Sequence, residues 1–334
     1  MPRPFLNVKL FGAKGDGSAD DTEAIQNAID SIPNDPNTTD PRNAGPVLYF
    51  PEGTYLINAS IVIDRFFGLE VRGTGVHPVI NTSSNTDVFG PRSILLWTGS
   101  AGGTMFRLRG VQGTTVRDLA FIGQQGSTGP RAGTLLELTS LSGNGSSWIA
   151  IKNCHFRDAQ TGIQCGGSAE KTDSEVLLER VTLSDCNTGF KLTHPQNQNY
   201  LFTMLAANHC KTVIDADEGG GVNVQSAALT ACGGEGTDDY AFKFGAGGGG
   251  PNVGINVLNA VRYEDCPKLL RVDGYSRVTC DGFNQSAAPP SPYGAALIRL
   301  IQGGLVFRNC RWQFERPKML EFGTPPTGTN CTVR

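Results

Sequence analysis

The chain has 334 residues with 28 basic and 31 acidic side chains, and a formal net charge of -3 gives no overall electrostatic case for nucleic acid or an anionic membrane as partner. Hydrophobic residues make up 39%, enough for a continuous core, which excludes a disordered chain, and no stretch approaches the roughly 20 apolar residues that span a bilayer. The 43 glycines follow no Gly-X-Y period and lie among short β-branched runs, so they point to many tight turns joining many strands.

The opening MPRPFLNVKLFG carries no apolar signal core. Asp20-Asp21 then form a capping signal ahead of apolar Ala24, Ile25, Ala28 and Ile29, which predicts an amphipathic helix over residues 22–32. Such a helix can cover the open end of a stacked structure. Residues 33–45, rich in Pro, Asn, Thr and Asp, read as loop, and VLYFPEGTYLI starts the strands at about residue 46. No repeat frame is assignable before about residue 100.

Beyond that point the chain repeats. Trp148 to Ile163 lies over Glu175 to Phe190 without a gap at an offset of 27 residues, each segment carrying two short alternating strands, a polar break and a third strand. The frame extends to an inward series Phe106, Leu136, Ile163, Phe190, Ile214, Phe242, Leu270, Ile298 and Leu320, spaced by 30, 27, 27, 24, 28, 28, 28 and 22 residues. A period near 27 with three strands predicts a triangular coil of a right-handed parallel β-helix, one solenoid domain of roughly ten coils over residues 1–334. Of the nine cysteines none forms a CxxC pair, and Cys186, Cys210, Cys232 and Cys266 recur at one corner of the frame. They are expected to stack as small buried residues rather than to bind metal.

The run FGAKGDGSADDTEAIQNAID followed by VLYFPEGTYLI resembles the N-terminal signature of the pectate-lyase-superfamily, rhamnogalacturonase-like β-helix proteins. That resemblance covers about the first 60 residues and implies the same solenoid fold. It also implies a range of roles: polysaccharide lyase, glycoside hydrolase, epimerase, or the tail spike of a phage. A secreted or virion-associated location and a homotrimer are expected on the same ground. The Gly-Asp-Gly and Asp-Asp elements are expected to be cap and turn structure.

Because strand residues alternate, the residue after each inward anchor faces solvent, as does the next but one. The outward columns place Lys191, Asp215, Asp217, Lys243, Arg271, Asp273 and Arg299 side by side along one face. A line of cations and carboxylates matches an extended acidic polysaccharide, and it also matches a ladder of solvated ion pairs. For β-elimination at a uronate, Lys191, Lys243 or Arg271 would need a depressed proton affinity to act as base, with Asp215 and Asp217 orienting it or holding a Ca2+ ion in a still incomplete oxygen site. For hydrolysis, Asp215 and Asp217 would stand roughly 6.5 Å apart by strand rise, and Asp217 and Asp273 about 9.6 Å apart across two coils. Elimination on an acidic glycan is the favoured expectation, and a non-catalytic carbohydrate-binding or structural appendage is the alternative. Gln164 and His194 on the same face, with Glu235, Asp238 and Asp239 in a loop that lengthens one coil, are candidate substrate contacts.

Overall fold

The computed structural model describes residues 4–32, 45–76, 92–124, 131–141, 144–166, 174–194, 197–234, 236, 238–245, 255–274, 276–286, 296–312, 319–323 and 331–334. Three parallel sheets of 12, 10 and 10 strands, here called A, B and C in the order a coil visits them, form a right-handed parallel β-helix. The 27-residue offset is the register itself: Ile149 pairs with Val176 in sheet A, Phe156 with Leu183 in sheet B and Ile163 with Phe190 in sheet C. Every anchor of the inward series stacks on its predicted neighbour, from Phe106 on Leu136 through to Ile298 on Leu320. The interior is a continuous column of buried Phe, Leu, Ile and Val, with aromatic contacts between coils such as Phe121 on Phe156, centroids 4.8 Å apart. Each coil buries too little alone, so stacking supplies the stability.

Solenoid pairing begins ahead of the first 45 residues' expected end. Strand Phe5–Asn7 pairs with Val47–Tyr49, and Asp16–Asp20 with Gly53–Ile57. Helix α1, Thr22–Asp30, takes the place of a third strand and buries Ile25, Ala28 and Ile29 over the open core. Its Gln26 amide donates to the Val62 carbonyl at 3.1 Å and accepts from the Val62 N–H at 3.0 Å. One side chain thus imitates a neighbouring strand and closes the edge of sheet C at Ile61–Asp64, an edge that would otherwise invite pairing with another chain.

The acidic signature of the N-terminus is structural, as expected. Asp16 Oδ1 accepts from the Ser18 and Ala19 N–H groups, and hydrogen bonds from these two, Ala19 first, hold its carboxyl down to about 2. The helix cap works through Asp20, whose Oδ1 accepts from Thr22 N–H, while Asp21 makes no side-chain cap bond. Asp21 instead turns away, 1% exposed, and accepts from the Lys14 and Gly15 N–H groups. Asp21→Ala strips two backbone donors of a charged acceptor and is expected to cost about 2–4 kcal/mol, read as a lowered midpoint in urea.

The corners depart from the expectation that glycine makes the turns. Sheet A passes to sheet B through single left-handed residues such as Asp118, Asn153, Arg180, Met204 and Ala260. Sheet B passes to sheet C through Asp158, Asp185, His209, Ala231 and Asp265. One left-handed residue redirects a strand, and the coil-to-coil hydrogen bonds on either side compensate for a strain of about 1–2 kcal/mol in a non-glycine residue. The residue after each B-to-C corner is small and buried: Ala159, then Cys186, Cys210, Cys232 and Cys266. These thiols each lie 3.4–3.6 Å from the carbonyl two residues back, all unoxidised, which agrees with the packing role expected of them.

Candidate functional site

Three-residue strands such as Phe242–Phe244 bury the outer two side chains in the core and aim the middle one outward, so sheet C presents one outward side chain per coil. Pairing runs in register from Lys191 through Asp215, Lys243, Arg271 and Arg299 to Glu321, the column expected from the repeat frame. Asp217 and Asp273 follow their strands by one residue and flank Gly245 of the coil between them. Gly245 is small for a reason. A Cβ there would fall 2.4 Å from Asp217 Oδ1, so any larger residue displaces that carboxyl.

Lys243 is the hub. Its Nζ lies 2.9 Å from Asp238 Oδ2, 3.2 Å from Asp217 Oδ2 and 3.4 Å from Asp215 Oδ2. Arg271 closes a ring, with Nη2 donating to Asp217 Oδ2 at 2.7 Å and Nη1 to Asp238 Oδ1. Asp238 reaches the ring from the long loop between Ala227–Thr230 and Phe242–Phe244, folded back by bonds from Gly234 N–H to the Asp239 carbonyl and from Asp239 N–H to the Gly236 carbonyl. The Lys243 and Arg271 side chains are 11% and 13% exposed, Asp217 is 25% exposed, and Asp238 is open at 52%.

Burial separates the two carboxyls. Desolvation raises the proton affinity of Asp217 above the ordinary range in spite of Arg271, and neighbouring Asp215 adds to the rise. Its Oδ1 is buried and accepts no hydrogen bond among the described residues. At Asp238 desolvation also opposes ionisation, yet hydrogen bonds from Lys243 and Arg271 outweigh it and hold the carboxyl below its usual range. Burial acts to lower Lys243 and Arg271, but Asp217 and Asp238 overcome it and raise both. The matching carboxylates thus hold the proton affinity of both cations up, whereas an eliminating base needs it depressed.

Of the other candidates, Lys191 and Arg299 stand at the two ends of the cluster in register, and no carboxylate lies within ion-pair distance of either among the described residues. Asp273 sits beside the cluster, its Oδ1 accepting from the Gly274 N–H. Gln164 belongs to an earlier part of the column, where its amide donates to Glu137 at 3.4 Å. His194 lies two residues past the end of strand Thr188–Leu192, where its carbonyl accepts from the Asn197 N–H at 3.0 Å. Asp239 is turned into its own loop against Gly234 and Gly236, and Glu235 lies outside the described residues. The proposed Ca2+ ligands Asp215 and Asp217 face the Lys243 ammonium, which takes the place a cation would occupy. Among the described residues no group of three or more His, Cys, Asp or Glu is arranged to hold a metal.

Two residues of the site escaped the sequence reading. Sheet C has a third regular position, filled by Thr104, Thr134, Thr161, Thr188 and Thr212 in successive coils. Two residues ahead of the next anchors it changes to Tyr240 and Lys268, with the Lys268 ammonium 5.6 Å from the Tyr240 ring centre and bonded to the Gly236 carbonyl. The break in a threonine series was visible in the repeat. An open hollow of about 530 Å³ lies elsewhere, between α1 and the Asp64–Arg109 ion pair, remote from the cluster in the N-terminal coils.

The sequence model of the family described as "Rhamnogalacturonase A/epimerase, pectate lyase-like" matches residues 5–238. The chain belongs to that family. It is 26% identical over 247 residues to a probable glucan endo-1,3-beta-glucosidase of Arthroderma benhamiae, covering 65% of this chain. The chain spans only about a quarter of that relative's length, 26%. In fold it is similar to the enzymatically active domain of tailspike protein 2 of bacteriophage CBA120, with TM-score 0.65, 14% identity, and coverage of 100% of this chain and 47% of that one. It is also similar to an alginate lyase from Paenibacillus sp. str. FPU-7, with TM-score 0.57, 11% identity, and coverage of 99% and 98%. Among the described residues no helix is long and apolar enough to cross a membrane.

Proposed function

We propose that the outer face of sheet C cleaves a polysaccharide by hydrolysis, with Asp217 as proton donor to the glycosidic oxygen and Asp238 as its ionised partner. The supporting observation is a pair of carboxyls that share Arg271 and Lys243 while their environments drive their proton affinities in opposite directions. Two carboxyl groups in opposite protonation states are what glycoside hydrolysis requires, one to protonate the leaving group and one to act as base or nucleophile. Lys243 and Arg271 keep Asp238 ionised and orient both carboxyls. Elimination, the expectation drawn from the sequence, fares worse because the two central cations hold their protons too tightly to act as bases.

An acidic polysaccharide lying along the solenoid axis remains the proposed substrate, its anionic groups meeting Lys191 and Arg299 at the ends of the cluster. Family membership and the matched glucanase support a glycan over other polymers. The fold likeness to a phage tailspike supports a location outside the cell or on a virion. A homotrimer is part of the same proposal, and light scattering at several concentrations checks it.

The test is a panel of alginate, polygalacturonate and laminarin, following both reducing ends and the ultraviolet absorbance of unsaturated uronates. Reducing ends without absorbance are expected. A matching rise in absorbance would identify elimination, and silence on every polymer while binding persists would leave a carbohydrate-binding appendage.

A further inference from the structure

We infer that Trp148 is the stacking platform of a second glycan subsite, at the corner where coils pass from sheet C back to sheet A. Six coils enter sheet A through a left-handed residue at one equivalent position: Gly68, Gly113, Trp148, Glu175, Asn199 and Gly221. Glycine fills three of these six positions and adopts that conformation without strain. Trp148 has φ 56° and is 72% exposed, so a large apolar side chain is held in solvent at a position where glycine would be less strained. Neither packing nor backbone geometry accounts for it. Left-handed non-glycine residues recur at the corners of this solenoid, so it is the exposed indole rather than the backbone that points to function.

The neighbours define the ligand. The next two coils place Glu175 and Asn199 beside Trp148, and the Asn199 amide donates to Glu175 Oε1 at 3.4 Å. A flat indole next to a carboxylate and an amide suits a sugar ring, whose C–H face stacks on the aromatic surface while its hydroxyls donate to the carboxylate and accept from the amide. Gly221 ends the series four residues after Asp217, in the same coil as the proton donor. Trp148 lies three coils further back, about 14 Å along the axis at 4.8 Å per coil. A chain threaded along the axis from the sheet C cluster therefore runs toward the indole.

This inference rests on the glycan reading above, and the experiment separates the two. In an Asp217→Asn background, in which turnover is expected to be slowed, binding of long oligosaccharides of laminarin, polygalacturonate and alginate is followed by tryptophan fluorescence and calorimetry. Trp97 is 2% exposed and Trp312 is packed among Tyr263, Phe283 and Phe307, so Trp148 dominates the solvent-sensitive signal. A blue shift on binding is expected. Trp148→Gly should weaken binding by about tenfold or more while the melting temperature stays level or rises, and Trp148→Phe should retain most of the affinity. Unchanged binding by Trp148→Gly would overturn the inference while leaving the glycan reading intact. A melting point several degrees lower would also overturn it, because Trp148 would then be structural. Failure of the Asp217→Asn protein to bind any of the three, with no cleavage by the wild type, would remove the glycan reading and this inference together.

Discussion

Asp217→Asn is expected to lower kcat on the cleaved polymer by about 10²–10⁴, the usual contribution of a positioned proton donor, with little change in affinity. The side chain keeps its shape, so its contacts with Arg271 and Lys243 are altered in charge but not in reach. The pH profile carries the sharper content. Asp217 must be protonated and its proton affinity is raised, so kcat/KM should fall as pH climbs through that raised value. Asp238 must be ionised and its proton affinity is lowered, so the acid limb should lie below the ordinary carboxylate range. The variant should lose the alkaline limb and keep the acid one. A profile with both limbs intact in Asp217→Asn would assign the donor role elsewhere.

Lys243→Met should produce the largest loss of stability. The lysine is 9% exposed and touches Asp215, Asp217 and Asp238, so removing it leaves three carboxylates facing one another with Arg271 alone to balance them. Breaking a buried charge network in this way costs about 3–5 kcal/mol at neutral pH. The sign with pH follows from linkage. The folded-state proton affinity of Lys243 is raised, so its contribution is fully present below the unfolded value of about 10.4 and is lost only as pH rises through the higher folded value. In the variant the carboxylates repel one another, the folded state binds protons more tightly than the unfolded chain, and stability is recovered as pH falls. Urea melts of both proteins between neutral and mildly acidic pH measure this. A gap that stays constant over that range would mean that Lys243 acts by packing alone.

The solenoid was readable because its period is a local property of the chain. One inward Phe, Leu or Ile per coil, at spacings near 27, sets the stacking register, and alternation along a strand then assigns the outward column from Lys191 to Arg299 without further information. The buried cysteine corner and the helix at residues 22–30 were legible for the same reason. The turns were less so, because Met204 or Arg180 in a left-handed corner is held there by hydrogen bonds to the coils on either side, which no local propensity records.

By itself the sequence pointed to the family through its N-terminal signature, and it determined the coil register and which residues share the outer face of sheet C through periodic side-chain direction. Only the tertiary structure decided which of those residues touch. It brought Asp238 down from a loop whose length showed but whose path did not, and it set the Lys243 ammonium among three carboxylates. It also raised Asp217 against Asp238 through unequal burial. Proton affinity depends on desolvation and on charges within a few ångströms, and those distances are set by coils about 28 residues apart in the chain, where spacing in sequence carries no information about depth.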